Sequence, residues 1–246
     1  MKRFALIVAL TFVGGNGVRA EPVLPAFDPA AFEPGAAVTH PYFALKPGAV
    51  REYSGEVTEG GEIVTERSVR TVVGAGPDLA GVKTVMVVDQ VFLDGRLVEQ
   101  AKDYYAQDRA GNVWYMGEDV INISYDDDDK VVGVDDTGTW RAGLNGAWPG
   151  YQMPAVLKPG FAYEQEHSVA DNALDRGEIM AVDGTMQGPL GGYDKVLAVF
   201  ETSAVEPDLR EIKYYAPGVG LIGEDGAVDG NRANPETHFA LIRRQD

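Results

Sequence analysis

Cysteine is absent from the 246 residues of the chain. Its absence excludes a disulfide framework, a thiolate metal site and a cysteine nucleophile. Basic residues are scarce as well, since 21 Lys and Arg stand against 38 Asp and Glu and give a formal net charge of −17. A field of that sign repels the phosphates of nucleic acid, so we expect no nucleic-acid partner.

Long apolar runs are rare, and the one that matches a targeting signal lies at the N-terminus. Two basic residues precede the apolar stretch 4–13, and the small residues Val18 and Ala20 fit cleavage after Ala20. The pattern predicts a secretory signal peptide over residues 1–20, because the run is too short to span a bilayer. We therefore expect a periplasmic or secreted protein with no membrane span and, without cysteine, no lipid anchor.

Helical periodicity is nearly missing too, and a short helix within 169–180 is the one helical expectation. Residues 21–40 carry four prolines and no period, which predicts an extended N-terminal arm. From 41 to 246, Val-rich or alternating runs recur between turn residues such as Asp94-Gly95, as antiparallel strands do. The sequence predicts a single mainly β domain, built as one curved antiparallel sheet or an incompletely closed barrel.

Part of this strand pattern occurs twice. Residues 81–88 resemble 192–199, 104–106 and 214–216 both read Tyr-Tyr-Ala, and 113–119 and 219–225 both end in Gly-Glu-Asp. Repetition of this kind predicts two related three-strand units, or meanders, within one sheet. Curling that sheet toward a barrel would reduce its exposed edges.

Three stretches carry a resemblance to a known family. Residues 41–48 (PYFALKPG), 103–115 (DYYAQDRAGNVWY) and 213–221 (KYYAPGVGL) resemble a family of uncharacterised exported bacterial proteins. The resemblance implies a β-rich extracytoplasmic domain, similar to the half-barrels of lipoprotein carriers. It implies no activity and no catalytic residues. An acidic segment after Tyr125 departs from the family's pattern and suggests a specialised role.

That acidic segment is the first candidate site. Hard cations such as Ca²⁺ prefer carboxylate oxygens, so one hypothesis is a calcium-like or trivalent cation site. The spacing differs from an EF-hand, and successive strand residues face opposite ways, so the alternative is a solvated hairpin tip. The candidate ligands are Asp126, Asp127, Asp128, Asp129, Asp135 and Asp136, with Glu118 and Asp119 beside them.

A group of aromatic residues is the second candidate site. On the concave face of a curved sheet, such residues would hold a small apolar or sugar-like ligand. The alternative is an ordinary core, since Trp and Tyr favour strands. The candidate ligand-contact residues are Trp114, Tyr115, Trp140, Trp148 and Tyr151.

Catalytic signatures are missing. The sequence has no Gly-x-Ser-x-Gly elbow, and His40, His167 and His238 show no metal-binding spacing. We expect a non-enzymatic binding protein for a small or lipidic ligand or an envelope partner, without a cofactor other than a calcium-like cation. A hard-cation-binding protein that uses 126–136 is one alternative. A carboxylate-dependent hydrolase is another, and it requires two carboxylates facing each other in a cleft, one with a raised pKa.

Overall fold

The computed structural model describes residues 8–9, 20–35, 37–59, 61–226 and 237–246, and most of the predicted signal peptide lies outside them. The described chain is almost wholly β-strand. Its strands are β1 (Val8–Ala9), β2 (Thr39–His40), β3 (Phe43–Ala44), β4 (Val50–Glu59), β5 (Glu62–Leu79), β6 (Val82–Leu93), β7 (Arg96–Gln107), β8 (Val113–Tyr125), β9 (Val131–Asp135), β10 (Trp140–Arg141), β11 (Trp148–Met153), β12 (Ala162–Glu164), β13 (Glu166–His167), β14 (Asp175–Gly188), β15 (Gly191–Ser203), β16 (Arg210–Ala216), β17 (Gly220–Gly226) and β18 (Thr237–Gln245).

Helical structure in the described residues is limited to one 3₁₀ turn, Pro29–Ala31. No described helix is long and apolar enough to cross a membrane. The expected helix within 169–180 is wrong, because Ser168 and Ala173 exchange backbone hydrogen bonds across a tight turn that leads directly into β14.

Antiparallel pairing joins most of the strands into one continuous sheet. From β14 the order runs β15, β16, β17, β18, β4, β5, β6, β7, β8, β11 and β13. The short segment 162–167 connects the two ends of this strand order, because β12 pairs with β14 while β13 pairs with β11. Gln165 N also donates to Asp175 O at 2.8 Å. The sheet is therefore a nearly closed barrel, which confirms the fold class predicted from the sequence.

The width of this barrel leaves room inside it. About eight strands give an interior that side chains just fill, and the diameter grows with strand number. Here the path from β14 to β13 contains 12 strands. Apolar side chains such as Tyr53, Leu197 and Leu241 form the main core, yet part of the interior remains hollow.

The arm at 21–40 packs along the barrel wall. Val23 bridges to Tyr163, and Phe32 bridges to Asp108. Phe27 lies edge-on to Trp114, with ring centroids 5.5 Å apart. These contacts build a second apolar cluster on the wall of the barrel.

The two predicted meanders share an unusual register. In the first, β6-β7-β8, Tyr104 lies opposite Gly117 and Tyr105 opposite Tyr115, so Met116 is an extra residue in a bulge. In the second, β15-β16-β17, Tyr214 lies opposite Gly223 and Tyr215 opposite Leu221. The same bulge thus occurs at the same place in both meanders. The sequence comparison aligned residues 81–88 with 192–199, and the strand register of the structure shifts this alignment by one residue. Val-rich strands resemble one another in any alignment, which explains the difference.

A tyrosine–aspartate hydrogen bond accompanies each bulge. Tyr104 OH donates to Asp119 Oδ2 at 2.7 Å, and Tyr214 OH donates to Asp225 Oδ2 at 2.8 Å. The extra residue shifts the alternation of side chains, so Tyr115 and Glu118 face the same side although they are three positions apart. The bulge thereby turns a glutamate into the barrel interior.

Replacement of Gly117 by alanine tests the bulge. Gly117 has φ +144, and a Cβ there would lie 2.7 Å from Trp140 O. We expect Gly117→Ala to lower the free energy of unfolding by roughly 2–4 kcal/mol in urea titration. Gly95→Ala is the control, since Gly95 also has a positive φ but no atom within 4 Å of the added Cβ. Equal losses in the two variants would contradict this role.

Candidate functional site

The hollow of the barrel is a cavity of about 190 Å³ with a mostly polar wall. A water molecule needs roughly 10–15 Å³ measured in this way, so the cavity has room for about a dozen. Its wall comes chiefly from the inward faces of β5 to β8 and β13 to β16. The carboxylates in the wall are Asp89, Glu99, Asp103, Glu118, Glu166, Asp175 and Glu201, and the cations are Arg70 and Lys213.

Strand geometry explains how these side chains converge. Alternate residues of a strand face the same side, and Glu99, Asp103 and Tyr105 on β7 all line the cavity. The bulge adds Glu118 to that set, and Asp103 and Glu118 are direct cross-strand partners. Directly opposite residues have Cβ atoms about 4.5–5.5 Å apart, so these two carboxyl groups are neighbours.

Both cations of the cavity are already paired. Arg70 Nε lies 2.5 Å from Asp89 Oδ2, and Ser68 Oγ donates to Asp89 Oδ1 at 2.5 Å. Lys213 Nζ lies 2.6 Å from Glu201 Oε2, and Gln165 Nε2 donates to Glu201 Oε1 at 3.0 Å. Asp89 and Glu201 are therefore neutralised within the protein.

Five carboxyl groups are left without such a partner. None of them forms an ion pair with a Lys or Arg among the described residues. Tyr115 OH donates to Asp103 Oδ1 at 3.0 Å, and Ser203 is close enough to Asp175 to favour its ionised form. The five groups are Glu99, Asp103, Glu118, Glu166 and Asp175.

Glu166 is, with Asp103, one of the two most buried of the five. Its residue is only 5 % exposed, and its Oε2 finds no hydrogen-bond partner among the described residues. The neighbouring indole of Trp140 favours the ionised form without reaching hydrogen-bond geometry. A buried oxygen without a partner costs about 1–3 kcal/mol. Oε2 is sealed from the cavity on the side of Trp140, so Glu166 is costly to keep ionised as it stands.

Burial and mutual repulsion hold protons on this cluster. Desolvation, followed by the charge of Asp103, raises the pKa of Glu118 to about 8. Desolvation also raises the pKa of Asp103 and of Asp175 to about 6. The pKa of Glu166 is raised by burial and then by Asp175 and Glu118. The carboxyls titrate against one another, so the group is only partly ionised near neutral pH.

Aromatic faces and a small apolar pocket adjoin the carboxyls. Tyr105 and Tyr115 stack in the wall with ring centroids 5.1 Å apart, and Tyr215 lies on the same wall. A second pocket, of about 60 Å³, shares Arg70 and Tyr105 with the acidic cavity. Its remaining wall is mostly apolar and includes Phe43, Leu45, Tyr53, Val72, Val87 and Leu221.

The structure separates the predicted aromatic set. Among the five, Tyr115 alone lines the acidic cavity. Trp114 and Trp140 are buried in the second apolar cluster. Trp114 is adjacent to Tyr115 on β8 and therefore faces the opposite side of the sheet. Trp148 is 40 % exposed, and its Nε1 donates to Pro25 O. Tyr151 packs edge-on against Trp114 with centroids 4.7 Å apart. Ligand contact by Trp114 and Trp140 therefore has no support in their positions.

The predicted cation ligands are likewise dispersed. Asp126 Oδ1 accepts from the backbone N–H groups of Asp128 and Lys130, which shapes the turn between β8 and β9. The other acidic residues nearby are occupied or exposed: Asp129 pairs with Arg96, Asp128 with Lys130 and Asp135 with Asn122, while Asp127 and Asp136 are exposed.

Glu118 and Asp119 do not join that tip. They lie about 20 Å away along β8, by the rise of a strand, and Asp119 pairs with Arg141. Within the described ranges, no group of three or more His, Asp or Glu side chains is arranged to hold a metal ion. Cation binding by the acidic tip stays a prediction.

Comparison with known proteins finds likeness only among solved structures. No protein-family model and no curated protein matches the chain. A Bacteroides fragilis protein proposed to be exported, with a YmcC-like fold, has a TM-score of 0.42 and 13% identity, covering 86% of this chain and 100% of its own. A protein of Parabacteroides distasonis proposed to be a lipoprotein has a TM-score of 0.37 and 12% identity, covering 83% and 98%. At these values the likeness is limited to the general course of the chain.

The acidic interior implies a pH-dependent stability. A carboxyl whose pKa rises on folding stabilises the fold fully below its unfolded pKa, and that stability is lost as pH rises through the folded value. Raising the pH from about 5 to about 9 should therefore lower the free energy of unfolding, because Glu118 ionises beside Glu99, Asp103, Glu166 and Asp175.

Glu118→Gln should make this pH-dependent decrease in the free energy of unfolding smaller by on the order of 2 kcal/mol. The measurement is urea titration across the same pH range. Asp128→Asn is the control, since it removes one carboxylate from the exposed hairpin tip. A loss in Glu118→Gln as large as that in the parent protein would show that Glu118 does not hold the proton.

Proposed function

We propose that the chain is an exported, non-enzymatic binding protein whose barrel cavity takes a small organic cation. The observation that supports this most is the set of five carboxyls around one hollow that form no ion pair with a Lys or Arg of the described part of the chain. The signal-peptide pattern at residues 1–20 supports export.

Electrostatics favours a cation in this cavity. Each buried carboxyl now either keeps a proton or ionises against its neighbours, and both states are costly. A cation among Asp103, Glu118 and Glu166 lets them ionise at a smaller cost, because opposite charges attract strongly where water is scarce. Binding should then compete with protons and strengthen as the pH rises.

The walls favour an organic cation of modest size. The faces of Tyr105, Tyr115 and Tyr215 attract positively charged groups, typically by about 0.5–2 kcal/mol each. The adjoining apolar pocket of about 60 Å³ suits a short alkyl group and is too small for the acyl chain of a lipid. A small amphiphilic cation fits both compartments.

Calorimetric titration tests this proposal. The mature protein is titrated at about pH 8 with n-butylammonium, tetramethylammonium, neutral 1-butanol and Ca²⁺ in turn. We expect at least one organic cation to bind, and Glu166→Gln to weaken that binding about tenfold or more, since a charged hydrogen-bonding partner is worth about 1.5–3 kcal/mol.

The control for this titration is Asp128→Asn, on the exposed tip, which should leave organic-cation binding unchanged. Failure of both organic cations to bind, or equal binding of 1-butanol, would contradict the proposal. Heat with Ca²⁺ that Asp128→Asn abolishes would instead support a cation site at the tip.

A carboxylate-dependent hydrolase is the second candidate function, favoured by the direct apposition of Asp103 and Glu118. In retaining glycosidases the two carboxyl groups are about 5–5.5 Å apart, and one has a raised pKa. Hydrolysis of 4-nitrophenyl glycosides should then be lost in both Asp103→Asn and Glu118→Gln. No turnover by the parent protein at about pH 5–7 would contradict this candidate.

A further inference from the structure

We propose that the outer edge of β9 is a docking site for an extended, basic segment of a partner protein, which adds a strand to the sheet. Three features of the β8–β9 hairpin support this assignment, and none of them involves the cavity. They are an unpaired strand edge, exposed valines on that strand, and acidic residues at both of its ends.

The first feature is the unpaired edge. β9 (Val131–Asp135) lies off the path of strands that closes the barrel. It pairs with residues 122–125 of β8, and no other strand in the described part of the chain pairs with it. Alternate residues of a strand direct their N–H and C=O groups to opposite edges, so part of the β9 backbone points to water. Such an edge is a template for pairing with another chain.

The second feature is the apolar surface of the strand. Val131, Val132 and Val134 are 56 %, 63 % and 63 % exposed. Val134 lies opposite Ile123, so both strands of the hairpin contribute apolar side chains. Proteins often protect an open edge with a lysine or a proline within the strand, and the stretch 131–134 contains neither. It therefore offers both the backbone groups and the apolar contacts that an added strand uses.

The third feature is charge, which selects the kind of partner. Acids 126–129 precede the valines and acids 135–136 follow them. Among the described residues, the basic side chains that pair with these acids are Arg96 and Lys130, so negative charge remains in excess. Complementary charge across an interface speeds association and suppresses wrong partners. A strand with basic residues meets opposite charge at both ends of β9.

The same charges disfavour a second copy of this chain as the partner. Antiparallel pairing of two β9 edges would bring acids 135–136 of one copy close to acids 126–129 of the other. Parallel pairing would align each acidic end with its own equivalent. Like charges that meet across an interface are costly, and the net charge of −17 adds to the repulsion. The fitting partner is an extended segment in which apolar and basic residues alternate, because alternate strand residues face opposite sides.

Peptide binding to the mature protein tests the proposal. The probe is the capped peptide Lys-Val-Lys-Val-Lys-Val-Lys, and the matched control is Lys-Pro-Lys-Pro-Lys-Pro-Lys, which has the same charge but cannot pair as a strand. In calorimetry the valine peptide should bind at least about tenfold more tightly than the proline peptide. Its binding should also slow backbone amide exchange within 131–135 by about tenfold or more. Equal binding of the two peptides, or no binding of either, would overturn the proposal.

A charge placed on the edge gives the second part of the test. Val134→Lys should weaken binding of the valine peptide about tenfold or more, since like charges then meet. Ile63→Lys is the matched control, because Ile63 is 74 % exposed near the β4–β5 turn and the change in net charge is the same. Equal weakening in both variants would overturn the proposal, since net charge rather than the edge would then govern binding.

Analytical ultracentrifugation of the parent protein tests the alternative occupant. We expect no self-association through this edge. Self-association that Val134→Lys abolishes and Ile63→Lys preserves would overturn the assignment to a basic partner, because the edge would then bind a second copy of the chain.

Discussion

The bulge centred on Gly117 is the constraint on which the cavity depends. Without the extra residue, strict alternation would place Tyr115 and Glu118 on opposite faces of β8. With it, both side chains line the hollow, while Asp119 on the other face accepts from Tyr104 at 2.7 Å. The glycine is required because φ +144 and the close approach of Trp140 O leave no space for a Cβ. The second meander has the same register shift beside Gly223, where an added Cβ would lie 3.0 Å from Phe239 O but φ is not positive.

Barrel width then decides what that interior contains. A ring of 12 strands encloses more volume than its apolar side chains fill, so polar groups can occupy the remainder without contacting bulk water on all sides. Carboxyls in such a space keep protons, which explains why burial raises the pKa of Glu118 to about 8. Under the proposed function, a cation that fits would recover part of the free energy that burying these groups costs. In the proposed function, the stability of the fold and the affinity for a cation are therefore linked through the same few residues.

Sequence patterns predicted the architecture better than the site. Val-rich runs and turns such as Asp94-Gly95 are local signals, so the β class and the repeated meander followed from them. The cavity was missed, because its carboxyls come from distant strands and meet only after the ring closes through 162–167. Acids placed inside apolar strands, such as Asp89 after Val87 and Val88, were the available signal. The aromatic hypothesis named both Trp114 and Tyr115, although adjacent strand residues face opposite sides; Tyr115 lines the cavity and Trp114 lies in the second apolar cluster.

The most direct measurement is the number of protons released when n-butylammonium binds, obtained by calorimetry in buffers of different ionisation enthalpy near pH 7. Because Glu118, with a pKa of about 8, keeps most of its proton near pH 7 while Asp103 and Asp175, with pKa values of about 6, are mostly ionised, an entering cation should displace between about a half and one proton per ligand. Glu118→Gln should reduce that number. Binding without proton release would contradict the account, because the cation would then be held somewhere other than among the buried carboxyls.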